Sequence, residues 1–209
     1  SQTIEVETAT TFTGYEHDSD PGEVVALYKD GEKANELNNG EVGMVILKQT
    51  PFYAESGGQV GDTGSLQTKA AVFDVQDTQK QGNDVFGHLG SLSKGTLKVG
   101  DRITAQINGD RRQDIKYNHS ATHLMHAALR DVLGDHVQQK GSLCDAERLR
   151  FDFSHFEPVT PEQLKTIEDI VNQHIRLNHK VETNLMSQEE AVNSGAMALF
   201  GEKYGDTVR

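Results

Sequence analysis

The sequence changes its hydrophobic period at Asn108-Gly109-Asp110, and this change constrains the possible folds more than any other feature. Before it, apolar residues sit in short β-branched runs. After it, they recur at helical spacing as far as about Leu133. A period of two buries one face of a strand, whereas a period near 3.6 buries one stripe of a helix. Two regions are therefore expected, 1–108 and 109–209, in a chain of 209 residues that is long enough for each to bury a core.

In the first region the expected strands are Ile4–Thr8, Val24–Tyr28, Val42–Lys48, Ala71–Val75, Val85–Leu89 and Arg102–Ile107. Turn signals separate them at Asp20-Pro21-Gly22, Asn39-Gly40, Lys94-Gly95 and Val99-Gly100-Asp101. Short strands at this spacing suit a small antiparallel β-barrel. Gly61-Asp62-Thr63-Gly64 reads most simply as a turn.

The second region opens with a helix from Asp110, a plausible N-cap, to about Leu133, closed by Gly134. His136–Leu143 and Arg148–Ser154 read as paired strands, with Leu149, Phe151 and Phe153 inward and Arg150 and Asp152 outward. Thr160-Pro161-Glu162-Gln163 carries a capping-box pattern and starts a second helix with a buried stripe of Leu164, Ile167, Val171 and Ile175. Lys180–Met186 returns as a strand, and a short helix capped by Ser187 ends at Gly195. The fold class is α+β, a barrel followed by helices packed on an antiparallel sheet.

Chemistry concentrates in Asn118-His119-Ser120-Ala121-Thr122-His123-Leu124. Two histidines four apart on a helix lie about 40° apart around its axis, so both imidazoles can reach one ion. Helical phase puts Ala121, Met125, Ala128 and Val132 on a core stripe. It gathers Arg112, Lys116, His119, His123, His126 and Arg130 on the opposite arc. The same spacing also fits two solvated histidines beside basic neighbours. Ser120 follows His119 where a zinc protease would carry its glutamate base, which disfavours that route to hydrolysis.

The net charge of −12 argues against a general nucleic-acid coat. Acidic residues crowd the early stretch, while Arg111, Arg112, Lys116, Lys140, Arg148 and Arg150 bracket the histidine helix, where a local RNA end can be held. The single cysteine, Cys144, excludes an internal disulfide and fits a reducing, cytoplasmic setting. No apolar run approaches the ~20 residues that span a bilayer, so no membrane partner is expected. Ser1 in place of an initiator Met is expected of an excised or processed piece.

A further stretch, Phe52 to Asp62, contains Gly57, Gly58 and Gln59. Adjacent glycines allow close backbone approach, and Gln59 carries donor and acceptor groups suited to an RNA end. An ordinary hairpin connection fits the pattern as well.

Five segments taken in order resemble one family: Phe52 to Asp62, Asn118 to Leu129, Gln139-Lys140-Gly141-Ser142-Leu143, Arg150 to His155, and Gly195 to Tyr204. Together they are similar to the editing region of bacterial alanyl-tRNA synthetases, a domain family shared with threonyl-tRNA synthetases and free-standing alanyl editing proteins. The resemblance implies a hydrolase that clears serine or glycine from the acceptor end of tRNA(Ala). It implies that His119 and His123 supply two zinc ligands. The other two come from a Cys-Gly-Gly-Thr-His motif that is expected beyond Arg209. By the same resemblance Thr122 and Gln139 line the aminoacyl pocket and carry the catalytic role. Gly57, Gly58, Gln59, Arg111, Arg112 and Lys140 are candidates for contact with the substrate RNA, and the remainder of a synthetase chain is an expected partner. Cys144 reads as a small buried side chain and not a ligand, and the role of His126 is open. Nothing resembles an ATP site. Two other readings compete with an editing hydrolase: a non-catalytic tRNA-binding scaffold whose metal site is incomplete, and a free-standing trans-editing deacylase.

Overall fold

The computed structural model describes residues 9–82, 84–177, 186–187 and 207–208. The chain divides into two compact units, Ser1–Glu55 with Val60–Arg112, and Ser56–Gln59 with Gln113–Arg209.

The first unit is all β. Its strands are β1 (Thr11–Phe12), β2 (Ser19–Lys29), β3 (Glu32–Ala34), β4 (Glu36–Leu37), β5 (Val42–Leu47), β6 (Gln49–Thr50), β7 (Gly64–Gln67), β8 (Val72–Lys80), β9 (Phe86–Lys94), β10 (Leu97–Lys98) and β11 (Arg102–Ile107). Six of them close an antiparallel barrel in the order β2-β11-β7-β8-β9-β5 and back to β2. Closure depends on the length of β2. Its first half pairs with β11, from Ser19↔Gln106 to Glu23↔Arg102. Its second half pairs with β5, from Val24↔Leu47 to Tyr28↔Met44, after an irregularity between Val24 and Ala26. A bulge adds bend and twist at such a corner, which lets one strand serve two neighbours and leaves no open edge there.

Alternation decides what fills the barrel. Ile103, Ala105 and Ile107 of β11 point inward with Val24, Leu27, Val45, Leu47, Leu66, Phe73, Val75 and Leu92. A smaller cluster of Ala26, Tyr28, Met44, Ile46 and Val85 forms on the other face of β2 and β5. Burial on both faces explains the unbroken apolar run of β5, where Met44, Val45, Ile46 and Leu47 are all buried. Five of the six expected strands are present. The sixth, Ile4–Thr8, lies outside the described residues. β7, with Leu66 its one buried apolar side chain, gives no clear alternation and was not expected.

Two polar networks, one around His88 and one around Arg112, are sealed inside this unit. His88 is fully buried, with Nδ1 2.8 Å from the Val45 carbonyl and Nε2 2.8 Å from the Thr50 hydroxyl. A carbonyl can only accept, so Nδ1–H donates to Val45 and Nε2 accepts from Thr50. Thr50 Oγ1 in turn accepts from the Phe52 amide at 3.1 Å. Burial pushes the His88 pKa down to about 4, against which the Val45 bond acts weakly. The second group is Arg112, 4% exposed, whose guanidinium pairs with the Asp62 carboxylate and donates to the Gly14 and Pro51 carbonyls. The same Asp62 oxygen accepts from the Tyr53 amide at 2.8 Å.

The second unit contains most of α1 (Gly109–Leu133), then β12 (Gln138–Cys144), β13 (Leu149–Ser154), α2 (Pro161–Leu177), β14 (Met186–Ser187) and β15 (Thr207–Val208). The cap of α1 is Asn108, not Asp110: its side-chain oxygen accepts from the Arg111 amide at 3.1 Å. Asp110 sits in the first turn, where a carboxylate still favours the helix dipole. Gly134 closes the helix at φ 122°. At the start of α2 the capping box forms in both directions, Gln163 N to Thr160 Oγ1 and Thr160 N to Gln163 Oε1. The core here is Ala128, Leu129, Val137 and Ile167, with Phe151, Phe153, Ile170 and Val171 against them. The stripe of α2 is therefore Ile167, Ile170 and Val171. Leu164 and Ile175, expected to be buried, are 52% and 53% exposed because they lie at the ends of the helix, beyond the contact with this core. The strand expected at Lys180–Met186 and the helix from Ser187 to Gly195 fall almost wholly outside the described residues.

Two outcomes follow from the sealed groups. Arg112→Met leaves the Asp62 carboxylate buried without its cation and is expected to cost about 3–5 kcal/mol in urea denaturation. The double replacement with Asp62→Asn should cost less than the sum of the singles. For His88 the folded pKa lies below the unfolded value of 6.5. As pH falls below 6.5 the unfolded chain gains a proton that the folded barrel refuses, so stability falls until about pH 4 and then levels. The loss is about 3 kcal/mol, and His88→Leu should remove that part of the slope in denaturation midpoints measured between pH 7.5 and 4.

Candidate functional site

The inner face of α1 differs from the one that apolar spacing suggests. Ile115, Thr122, His126 and Leu129 are buried, together with Ala128, whereas Met125 and Val132 are only partly so. Thr122 is 3% exposed and His126 6%. The arc expected to face solvent therefore turns partly inward, and a polar residue on a buried face is invisible to hydrophobic periodicity.

His119 and His123 flank this face, with their Nε2 atoms 3.3 Å apart and ring planes at 72°. Two nitrogens each about 2.05 Å from a tetrahedral zinc lie about 3.3–3.4 Å apart. The pair thus has the spacing of one edge of a zinc tetrahedron. Burial, followed by the neighbouring His119 and His126, lowers the pKa of His123. That favours the neutral imidazole, the form that binds a metal. Among the described residues no third His, Cys, Asp or Glu joins them. Cys144 is 3% exposed, its thiol donates to the Ile115 carbonyl at 3.3 Å, and burial pushes its pKa up to about 11. It packs as a small side chain.

Thr122 donates its hydroxyl proton to the Asn118 carbonyl at 3.0 Å, one turn back. Only its oxygen lone pairs remain to meet another group. Gln139 enters from the sheet. β12 and β13 pair from Gln138↔Ser154 to Cys144↔Leu149 with a bulge between Gln139 and Gly141. The extra residue is Lys140, which is exposed. Cross-strand partners share a face, so Gln139, Ser142 and Cys144 lie with Phe153, Phe151 and Leu149. That face packs on α1, since Phe151 meets the His126 ring at 5.2 Å and Cys144 meets Ile115. Gln139 is 5% exposed, with no partner for either amide atom. Both His126 nitrogens are likewise without a partner. His126, left open by the sequence, is the residue that its reading underrates.

Gly57 and Gly58 form the two-residue loop of a hairpin, with φ of 56° and 82°. Ser56 and Gln59 exchange both backbone bonds, at 3.1 and 2.9 Å. Consecutive positive φ values favour glycine at both positions. Gln59 then forms a parallel bridge to Cys144, whose amide donates to the Gly58 carbonyl at 2.8 Å. The stretch is a hairpin tip that extends the β12–β13 sheet. Arg112 is not free for a phosphate, because its donors are spent on Asp62, Gly14 and Pro51. Arg111 is partly buried and donates to the Gly61 carbonyl at 3.0 Å.

The profile of the family described as tRNA synthetases class II (A) matches residues 1–111. The chain belongs to this synthetase family. The match ends before His119, but whole-length similarity continues through the site. Alanine–tRNA ligases of Pseudomonas entomophila and Pseudomonas fluorescens are each 58% identical over 99% of the chain, and that of Pseudomonas syringae pv. tomato is 57% identical over the same share. The chain spans 24% of the length of these ligases. Among the described residues no helix is long and apolar enough to cross a membrane.

Gly58 offers a local test. A Cβ there would stand 2.7 Å from the Ser142 carbonyl oxygen, on a backbone with positive φ. Gly58→Ala is expected to destabilise the second unit by about 1–2 kcal/mol or more, and hydrogen exchange should show faster opening of the Cys144 amide.

Proposed function

We propose that this chain is the editing portion of an alanine–tRNA ligase, hydrolysing the ester that joins a wrongly attached serine or glycine to the acceptor end of tRNA(Ala). The observation that carries the reading is the 3.3 Å separation of His119 Nε2 and His123 Nε2, the bite of a zinc site on a helix face with a buried polar layer beside it. Similarity to three alanine–tRNA ligases supports it.

In this reading His119 and His123 hold zinc through Nε2, and two further ligands come from outside the described residues. Zinc at such a site supplies Lewis acidity and holds the substrate. The chain's own groups do the rest. Thr122 and Gln139 line the aminoacyl pocket, Thr122 offering an acceptor and Gln139 both donors and an acceptor. Gln139 orients water or substrate, since an amide is no general base near neutral pH. In the reaction the water oxygen bonds to the ester carbonyl carbon and the carbon–oxygen bond to the ribose breaks. One proton returns to the ribose hydroxyl, and the amino acid leaves as its carboxylate with release of the other. The Gly58 carbonyl and the Gln59 backbone are committed to the hairpin and to Cys144, so Gly57 and Gly58 shape the turn and the Gln59 side-chain amide is what faces the RNA end, with exposed Lys140 a cation for its phosphates. Arg111 is a weaker candidate for the same role. The setting is cytoplasmic, with tRNA and the remainder of the synthetase chain as partners.

A second reading, a tRNA-binding scaffold with an incomplete metal site, is favoured by there being two ligands and no more among the described residues. Elemental analysis and deacylation assays separate the two. Replacing His119 and His123 with Ala in the whole-length ligase should lower zinc from about one ion per site towards none and abolish clearance of seryl-tRNA(Ala), while alanine charging persists. Unchanged clearance by the double variant sinks the editing reading. Neither zinc nor deacylation in the unaltered ligase supports the scaffold.

A further inference from the structure

The layer between α1 and the β12–β13 sheet keeps four polar atoms without partners: both ring nitrogens of His126 and both amide atoms of Gln139. The two residues are 6% and 5% exposed. Buried donors and acceptors are almost always paired, because each one left alone forfeits its bonds to water. Here they stand on the two facing surfaces of one layer. His126 lies on α1 against Phe151, and Gln139 lies directly opposite Phe153 on the same sheet face.

The helix fixes where this layer lies relative to the histidine pair. His126 is three residues beyond His123, about 4.5 Å further along the axis. Burial, with the charge of Arg130, lowers the pKa of His126 itself; the Val137 backbone opposes this from close by but outside hydrogen-bonding geometry. A neutral imidazole offers one donor and one acceptor, and a primary amide offers two donors and one acceptor. The group that satisfies both at once must donate and accept, and must be small. A hydroxyl does so. A methyl group or a hydrogen atom does not.

We infer that His126 and Gln139 together read the side-chain hydroxyl of a seryl group, making His126 a specificity-determining residue of the site. This inference rests on the deacylation reading above. Thr122 is the weaker candidate for that task, because its proton is already donated to Asn118. The arrangement also accounts for sparing alanine. An alanyl methyl fills that space and leaves the buried polar atoms unpaired, whereas a glycyl group, having no Cβ, leaves room for a water that can donate and accept in the hydroxyl's place.

The test compares His126→Phe with the unaltered protein, both in this chain and in the whole-length ligase, using seryl-, glycyl- and alanyl-tRNA(Ala). The expected result is a fall of about 10- to 100-fold in kcat/KM on the seryl ester with the glycyl ester changed less than about threefold. Thermal stability should be equal or higher, because two orphaned atoms are gone. Equal loss on both esters, no loss on either, or marked destabilisation overturns the inference; His126→Leu repeats the comparison should Phe not be accommodated. A binding arm is independent of turnover, using stable seryl- and glycyl-amide analogues of the terminal adenosine. The unaltered protein should prefer the seryl analogue and the variant should lose that preference. If the unaltered ligase hydrolyses neither ester and binds neither analogue, the deacylation reading itself fails. If it does both and the variant keeps its preference, only the role of His126 fails.

Discussion

A guanidinium and a carboxylate with almost no contact with water anchor the first unit. Removing two such charges from solvent is costly, and the cost is recovered only when their remaining hydrogen-bonding capacity is also used. Arg112 meets that condition by donating to the Gly14 and Pro51 carbonyls beside Asp62, with the Phe12 ring 5.9 Å from its centre. Asp62 meets it by accepting from the Tyr53 amide, while its own amide donates back to the Tyr53 carbonyl at 2.9 Å. The loop between Tyr53 and Asp62 is thereby closed at its base. Gly14 is part of the same device, since a Cβ there would stand 2.2 Å from the Pro51 carbonyl oxygen.

The fully buried polar side chains of the barrel and those between α1 and its sheet are treated differently. Inside the barrel each sealed group has partners: His88 is held at both nitrogens, and Thr50 is used as both donor and acceptor. In the α1 layer, His126 and Gln139 have none. A fold that pairs its buried polar groups in one place and leaves them open in another has the usual signature of structure in the first and of ligand chemistry in the second.

Much of the fold was legible because its signals are local. Val42 to Lys48 and Arg102 to Ile107 announce strands by β-branching and alternation, and Thr160 to Gln163 announces a helix start by its cap. β7 was not legible, since Gly64-Ser65-Leu66-Gln67 takes its place through pairing with β8 and β11, which no local pattern encodes. The length of α1 was visible but its inner face was not. Apolar spacing favoured Ala121, Met125 and Val132, whereas the packing also draws in Thr122 and His126. Arg112 was misread for the same reason. A basic residue at the start of a helix looks solvated until Asp62, far back in the sequence, is brought against it. His119 and His123 could be singled out because their spacing is itself the geometry, while the Lys140 bulge that separates buried Gln139 from Gly141 requires the register with β13.

The hairpin tip at Ser56–Gln59 is grouped with the second unit although its flanking residues are grouped with the first. The second unit is therefore a discontinuous domain, and no single cut of the chain isolates it. A segment excised from Gln113 onward would lose the strand that pairs with Cys144 and expose the free edge of β12, an invitation to edge-to-edge association. During synthesis the tip leaves the ribosome well before β12 does, so the sheet that carries Gln139 cannot be completed from contiguous sequence alone. The architecture ties the integrity of that sheet to residues made long before it.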